Sequence, residues 1–386
     1  MADKLRVGII GIGNMGSSHL RNYRDGKMPE VEITAVCDIK ADRLEWAEKE
    51  FPAIARFESF DDVLASGLCD AILIAVPHYD HPPMAIKALK AGFHVMTEKP
   101  AGVYTKQVRE MNEVAESCDK VFGIMYNQRT NPMYRKAREI VKSGEYGQLK
   151  RVNWIITDWF RTQAYYNSGG WRATWSGEGG GVLLNQCPHN LDLWQWICGM
   201  PVKVKAVCRV GQWHDIEVED DVTIYTEYAN GASGVFITTT GDCPGTNRLE
   251  ITLDRAKLIC EDNKLRMYVL ENNTSDIIYK SEEGFAKEDG EWVDVELEGE
   301  NNQHSGIMNA FANKILHGGE LIANGVEGIN GLTISNAAFL SSWLDKTIEL
   351  PIDEDLYYAE LKKRIDSSKA KENVVEKTNE DMSSTY

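Results

Sequence analysis

Three short stretches of this chain carry residue types able to move a proton and a hydride beside a polar substrate. The first, 11-GIGNMG-16, is a glycine turn of the kind that lets a dinucleotide approach the backbone. The second, 97-TEKPAG-102, places Lys99 between Glu98 and Pro100, and the proline stiffens the turn. The third, 183-LLNQCPHNLDLWQW-196, sets Asn185 and His189 inside an apolar segment, with Cys187 and Pro188 between them. Oxidising an alcohol needs a base for the O–H proton, a group that steadies the developing alkoxide and a nicotinamide to take the hydride. A histidine with an ordinary pKa of about 6.5 suits the base, whereas a lysine at about 10.4 would need strong depression. His189 is therefore read as the base and Lys99 as the cation beside oxygen, with the reverse division of labour left open. Asp192 has two readings: it orients His189 from one turn later, or it bonds a backbone amide or a surface arginine. Alcohol oxidation requires no thiol, so Cys187 is read as a buried small residue. His78, His81, Cys187 and His189 match no common ligand spacing, and no metal is predicted.

The elements that must position these residues begin with an alternation of strand and helix. Apolar strands at 5-LRVGII-10, 32-EITAVCD-38, 71-AILIAVP-77, 93-FHVMTEKP-100 and 121-VFGIMYN-127 are separated by helical patterns, among them 82-PPMAIKALKAG-92 and 105-TKQVREMNEVAESC-118. Right-handed β-α-β crossovers and a doubly wound parallel sheet follow, an α/β Rossmann domain over residues 1–127. After a helix at 132–144 come alternating, aromatic-rich strand patterns at 149–160, 202–211, 221–229, 233–241, 248–254, 256–262, 265–272 and 292–298. They predict an α+β domain over 128–352 with a large, mostly antiparallel open sheet, completed by helices at 305–318 and 328–346. Residues 353–386 read as an extension, with a mobile tail from about 367 because large apolar residues nearly vanish there.

In this setting the glycine turn gains meaning, because it follows a strand, opens a helix and precedes Asp38 at the end of the next strand. Gly11 takes the tight turn, Gly13 admits the pyrophosphate with Asn14 and Met15 beside it, and Gly16 lets helix and strand pack closely. Asp38 accepts from ribose hydroxyls and repels a 2′-phosphate, which favours NAD over NADP, a preference that Lys40 and Arg43 soften. Ile39 and Arg43 flank that acid. Val76, Pro77, His78, His81, Glu98, Lys99 and Asn127 are predicted to line the remaining strand ends of the cofactor cleft, with capping of a helix as the other reading of His78 and His81.

Composition narrows the alternatives. A formal charge of −17 over 386 residues argues against a nucleic-acid partner, which needs clustered Lys and Arg. No apolar run reaches the roughly 18 residues needed to cross a bilayer, and the sequence opens straight into a strand, so a cytoplasmic protein is expected. Eight scattered cysteines without a C-x-x-C pair are read as reduced core residues.

The residues 8-GIIGIGNMG-16, 37-CD-38, 98-EKP-100 and 179-GGGVLLNQCPHNLD-192, in this order over roughly residues 5–350, resemble the glucose-fructose oxidoreductase, inositol dehydrogenase and rhizopine-catabolism (Gfo/Idh/MocA) family. The resemblance implies that Lys99 and His189 are the catalytic pair beside the nicotinamide. Many members have Asp four residues before that histidine; here Asn185 donates as well as accepts and adds no charge. The segment 158-DWFRTQAYYNSGGWRATWSGEGGG-181 supplies substrate-pocket candidates: Trp159, Arg161, Tyr165, Tyr166, Trp171, Arg172 and Trp175. About half of these aromatics are expected to face interfaces or packing instead. Family Trp-Arg pairs place Trp171 and Arg172 beside the cofactor, and Tyr126 is a further candidate near it. The N-Q-C-P-H form resembles bacterial glycoside 3-oxidoreductases. The implied function is NAD-dependent oxidation of a secondary hydroxyl of a sugar, glycoside or cyclitol, with an NAD-retaining glycosidase and a non-catalytic nucleotide sensor as alternatives. A homo-oligomer, dimer or tetramer, packed through the open sheet is also expected.

Overall fold

The computed structural model describes residues 4–369, 371, 374 and 375. Six strands, β1 (Leu5–Ile10), β2 (Val31–Cys37), β3 (Ala55–Phe57), β4 (Ala71–Ile74), β5 (His94–Thr97) and β6 (Phe122–Ile124), form one sheet in the order β3-β2-β1-β4-β5-β6. Every pairing in it is parallel. Strands such as 71-AILI-74 are buried on both faces, as a sheet covered by helices on either side requires. After β3 the chain crosses back to set β4 beside β1, and the reversal of strand order opens a crevice at their carboxyl ends. The expected strand 121–127 is shorter than its apolar pattern. The chain leaves β6 at Ile124 and turns through Asn127–Thr130, which buries Arg129.

The second sheet has nine strands, β7 (Leu149–Ile156), β8 (Lys203–Val210), β9 (Glu219–Glu227), β10 (Ser233–Thr239), β11 (Asn247–Leu253), β12 (Ala256–Glu261), β13 (Lys264–Leu270), β14 (Gly290–Asp294) and β15 (Ile348–Glu349). Their order is β14-β13-β12-β11-β7-β10-β9-β8-β15, antiparallel except where β7 and β10 run together. One face packs on the helices Pro132–Ser143, Pro188–Cys198 and Gly328–Leu344. There Trp194 stacks on Phe236 at 5.1 Å, and Trp154 meets Tyr134 at 5.7 Å. The other face presents Ile155, Val207 and Tyr225. Between β7 and the helix Pro188–Cys198 the chain makes a long excursion over residues 157–187, mostly without regular structure, and this excursion reaches the crevice.

Two features depart from the sequence pattern. The helix Gln303–His317 returns to pack on β1, β2 and the turn Asn127–Thr130, so the chain after residue 127 also supports the first sheet. The extension holds a helix, Glu354–Ser367, capped by Asp353 and anchored where Tyr357 stacks on Trp343 at 5.5 Å. Beyond it, Lys371 Nζ donates to the Tyr166 carbonyl at 2.6 Å and the Val375 N–H donates to the Asn167 carbonyl at 3.0 Å. These described positions are fastened to the excursion, where a mobile tail was expected; the rest of that tail lies outside the described residues. All eight cysteines are unpaired, but Cys243 is exposed and not a core residue.

Candidate active site

A cavity of about 630 Å³ opens at the carboxyl ends of β1, β4 and β5 and is roofed by the excursion. That volume lies within the range of small-molecule and cofactor sites. At one end stands the glycine turn. A Cβ on Gly16 would meet the Gly11 carbonyl oxygen at 2.0 Å, whereas a Cβ on Gly13 would meet nothing within 4 Å. The first position needs glycine for close packing; the second leaves an open approach to the backbone. The helix Asn14–Arg24 begins there with no side-chain cap and no acid in its first turn, a terminus suited to a pyrophosphate. Asp38 accepts the Ile12 N–H at 2.8 Å and the Lys40 N–H at 2.9 Å, so its carboxylate joins the first two strand-end loops at the cavity wall. Arg43 donates to the Ile12 carbonyl at 2.8 Å and to Ser17 Oγ at 2.6 Å, which directs its guanidinium inward. Open backbone, helix terminus and adjacent acid fit NAD.

Next to it, the turn after β4 places Val76, Pro77 and His78 on the cavity. His81 spans two turns, with one ring nitrogen 2.8 Å from the Val76 carbonyl and the other 2.7 Å from that of Pro100. It thereby ties the β4 turn to the one bearing Lys99. Lys99 is half-buried and donates to the Asn185 carbonyl at 2.8 Å. Burial pulls its ammonium below the ordinary lysine value, Glu98 and Glu178 oppose that shift, and Arg172 and Arg161 add to it. Behind Lys99, Glu98 lies 2.7 Å from His19 Nε2. Burial would raise that carboxyl, but the hydrogen bond with His19 and the nearby Lys99 bring it below its ordinary range.

His189 occupies the first turn of the helix Pro188–Cys198. It is 3% exposed, it lines the cavity, and neither ring nitrogen has a hydrogen-bond partner among the described residues. Burial, with Lys99 and His304 adding to it, holds its pKa well below 6.5, so the ring is neutral near pH 7. Asp192 does not orient it: both carboxylate oxygens are taken by the buried Arg129 in a fork with two 2.7 Å bonds. Instead the edge of His189 meets the Tyr126 ring, with centroids 6.3 Å apart.

At the far end Trp159, Arg161, Tyr165, Trp171, Arg172 and Asn185 share the cavity wall with His189. Arg172 donates to the Tyr165 hydroxyl at 2.6 Å and lies 4.4 Å from the centroid of that ring and 4.8 Å from that of Trp171. Pro188 begins the helix, so Asn185 sits in the preceding turn with its N–H on the Gly181 carbonyl at 2.9 Å. Asn185 and His189 therefore do not share a helical face.

Five residues expected at the site lie off the cavity wall. Gly16 packs behind the glycine turn. Tyr126 is buried beneath His189, its hydroxyl 3.4 Å from the Gly328 carbonyl, and Asn127 bonds Gln303, because the chain turns inward after β6. Tyr166 donates to or accepts from Thr240 at 2.7 Å, and Trp175 packs edge-on against Phe339 and Trp343. Sequence reasoning missed Ser168, Gly169 and Gln186 on the wall, and Glu178 behind Asn185. The run 177-GEGGG-181 gave no signal for Glu178, because a lone acid among glycines reads as a solvated turn.

The parallel sheet with its glycine turn defines a dinucleotide-binding domain, and comparison with known proteins gives the family. Residues 5–126 match the oxidoreductase family with the NAD-binding Rossmann fold, and residues 134–259 match the GFO/IDH/MocA C-terminal domain. The two matches cover more than half of the chain, which belongs to the GFO/IDH/MocA family. It is 32% identical over 235 residues to an inositol 2-dehydrogenase of Corynebacterium glutamicum (strain R), a match covering 60% of this chain and 66% of that enzyme. It is 30% identical over 197 residues to the rhizopine catabolism protein MocA of Rhizobium meliloti, covering 51% and 58% of the two chains. The matches thus span less than two thirds of these relatives. The WlbA dehydrogenase from Bordetella pertussis, solved with NADH and UDP-GlcNAcA, has a TM-score of 0.74 at 24% identity over 91% of this chain and 100% of that one. Levoglucosan dehydrogenase, solved with NADH and levoglucosan, has a TM-score of 0.75 at 20% identity over 90% and 100%. Both likenesses concern the fold.

Proposed function

We propose that the chain is an NAD-dependent dehydrogenase acting on a secondary hydroxyl of a sugar, glycoside or cyclitol, C3 of a glucoside being one such position. The observation that carries this reading is the unpartnered, neutral His189 ring on the same cavity as Lys99 and the glycine turn. Bound NAD supplies the hydride-accepting nicotinamide. The neutral imidazole takes the hydroxyl proton, and the Lys99 ammonium, braced on the Asn185 carbonyl, holds the oxygen as negative charge develops. Trp159 and Trp171 offer faces for the C–H surface of a sugar ring, and Tyr165, Gln186 and Asn185 offer hydrogen-bonding groups for its hydroxyls. The relatives named for inositol support a polyhydroxylated substrate.

A panel of free sugars, glycosides and inositols, followed by NADH absorbance and product mass, tests the proposal. A keto product formed with stoichiometric NADH is expected. Free sugar released without net NADH would replace the reading by an NAD-retaining glycosidase, and no turnover of any compound would leave a nucleotide sensor. The apolar rows on the open sheet, Ile155 at 39% exposure and Val207 at 53%, support assembly of copies through that face, which sedimentation of the purified protein checks.

A further inference from the structure

Glu178 lies on the turn that leads from Trp171 and Arg172 into the glycine run, and its side chain is 1% exposed. One carboxylate oxygen accepts the Ala173 N–H at 2.5 Å, the other accepts Asn185 Nδ2, and Arg172 Nη1 lies 3.8 Å away. Burial pushes the carboxyl up, while these donors converge on it as they would on an ionised group. Because Asn185 directs its N–H at Glu178, its Oδ1 faces the other way, toward the Tyr165 hydroxyl at 3.5 Å and the cavity. The amide orientation of an asparagine is thus fixed by an acid that itself stands behind the cavity wall. The backbone carbonyl of the same Asn185 takes the Lys99 ammonium at 2.8 Å. A continuous chain of contacts runs from the buried anion to the cation of the site.

We propose that Glu178 is the positioning residue of the substrate end: through Asn185 it presents a hydrogen-bond acceptor to a substrate hydroxyl, and it supplies a buried negative charge that faces Lys99. The proposal rests on reading the cavity as a polyol or sugar site. It assigns specificity to an acid that does not itself touch substrate, and it gives neutral Asn185 a carboxylate partner. Lys99 also faces Glu98 on its own turn, Arg161 and Arg172 from the excursion, His78 from the β4 turn, His189 from its helix and His304 from the helix Gln303–His317. Among these, Glu98 and Glu178 are the carboxylates. Glu98 acts on Lys99 more strongly than Glu178 does, from the side of the sheet where it bonds His19, and Glu178 adds a second carboxylate from the side of Asn185.

Glu178 also holds Ala173, whose φ of 54° lies in the left-handed region, so the test needs readouts that a loop staple alone would not move. Glu178→Gln keeps the shape and removes the charge. We expect kcat/KM to fall roughly tenfold with NAD affinity within about twofold, and the alkaline limb of the pH profile to move to lower pH, as Lys99 loses an anion that holds its proton. Asn185→Asp alone puts two carboxylates in contact and is expected to lower kcat/KM by a similar factor. The Glu178→Gln/Asn185→Asp double variant restores one acid and one amide with positions exchanged, and should return to within about threefold of wild type, a non-additivity that a double-mutant cycle measures. The pH dependence of Lys99 acylation by acetic anhydride, read by peptide mass without any substrate, should show a lower midpoint in Glu178→Gln. If wild type oxidises no compound of the panel, the dehydrogenase reading fails while the Lys99 midpoint still reports on Glu178. An unmoved midpoint, or single-variant effects that simply add, overturns the proposal and leaves the dehydrogenase reading standing.

Discussion

At the dinucleotide end the cavity wall is made by groups close together in sequence and held by backbone: Gly11, Gly13 and Asp38 belong to two successive strand-end loops, and Asp38 joins them through two N–H donors. At the substrate end the wall is assembled across the chain. Lys99 bonds a residue 86 positions away, Tyr165 bonds Arg172 and Asn185, and residues beyond the final helix fasten Tyr166 and Asn167 from outside. The first kind of wall tolerates a changed side chain as long as the backbone path survives. The second depends on side chains whose orientation is set by other side chains, so single substitutions there should act on catalysis and spread to neighbours.

The largest expected effect is at the junction of the two ends. His189→Ala should lower kcat about a thousandfold, which is about 4 kcal/mol of transition-state stabilisation, while leaving NAD affinity within about twofold. Titration by intrinsic fluorescence quenching measures the second quantity, and wild-type turnover would remove His189 from the proposed role. The pH profile sharpens the same point. The ring is held well below 6.5, so the neutral form persists as pH falls, and the acid limb of kcat/KM should lie below that value. Lys99 is also lowered, so the alkaline limb, where its proton leaves, should lie below the ordinary lysine range. An acid limb above 6.5 would contradict the burial that makes His189 a neutral base.

A stability variant probes how the substrate end is held. Arg129→Met leaves Asp192 buried without its fork of hydrogen bonds, on the same helix that carries His189. Removing one partner of such a pair typically costs about 3–5 kcal/mol, read here by urea unfolding. A loss under about 1 kcal/mol would show that water or Gln195, which already donates to Asp192 at 3.0 Å, compensates and that the pair does not brace the helix.

The contrast between the two walls also explains what the sequence made legible. The glycine turn, Asp38 and Lys99 were readable because strand, turn and helix are coded locally, and their periodicity places all three at one edge of a parallel sheet. Pro188 carries a local signal as well, because proline suits a first helical turn, and the helix does begin there with Asn185 in the turn before it. The aromatic segment was not separable by sequence. Trp171 and Trp175 are four positions apart in an irregular loop with no period to assign faces, and one lines the cavity while the other packs on Phe339. Tyr126 and Asn127 followed a strand pattern that the chain abandons early, because Arg129 must reach Asp192. Glu178 was hidden for the opposite reason: a charged residue among glycines reads as a solvated turn, and only the fold buries it against Asn185.

The smallest expected effect belongs to the locally built end. Asp38 has two tasks, accepting from ribose hydroxyls and clasping the Ile12 and Lys40 amides, and Asp38→Ala removes both. NAD affinity should weaken roughly tenfold, about 1.4 kcal/mol, while the glycine backbone and helix terminus continue to bind the pyrophosphate. The preference against NADP should narrow as well, since the charge that repels a 2′-phosphate is gone. Arg43 will not by itself turn the site into an NADP site, because its guanidinium is drawn inward by the Ile12 carbonyl and Ser17. Asp38→Asn separates the two tasks: its single side-chain oxygen can keep one of the loop bonds while the charge is lost, so NADP discrimination should fall nearly as far as in the alanine variant, with a smaller loss of NAD affinity. Calorimetric titration of both variants with each dinucleotide decides this. If the asparagine variant retained full discrimination, selectivity would reside in the shape of the Asp38–Lys40 loop and not in its charge, and even this locally coded wall would have to be read as a tertiary one.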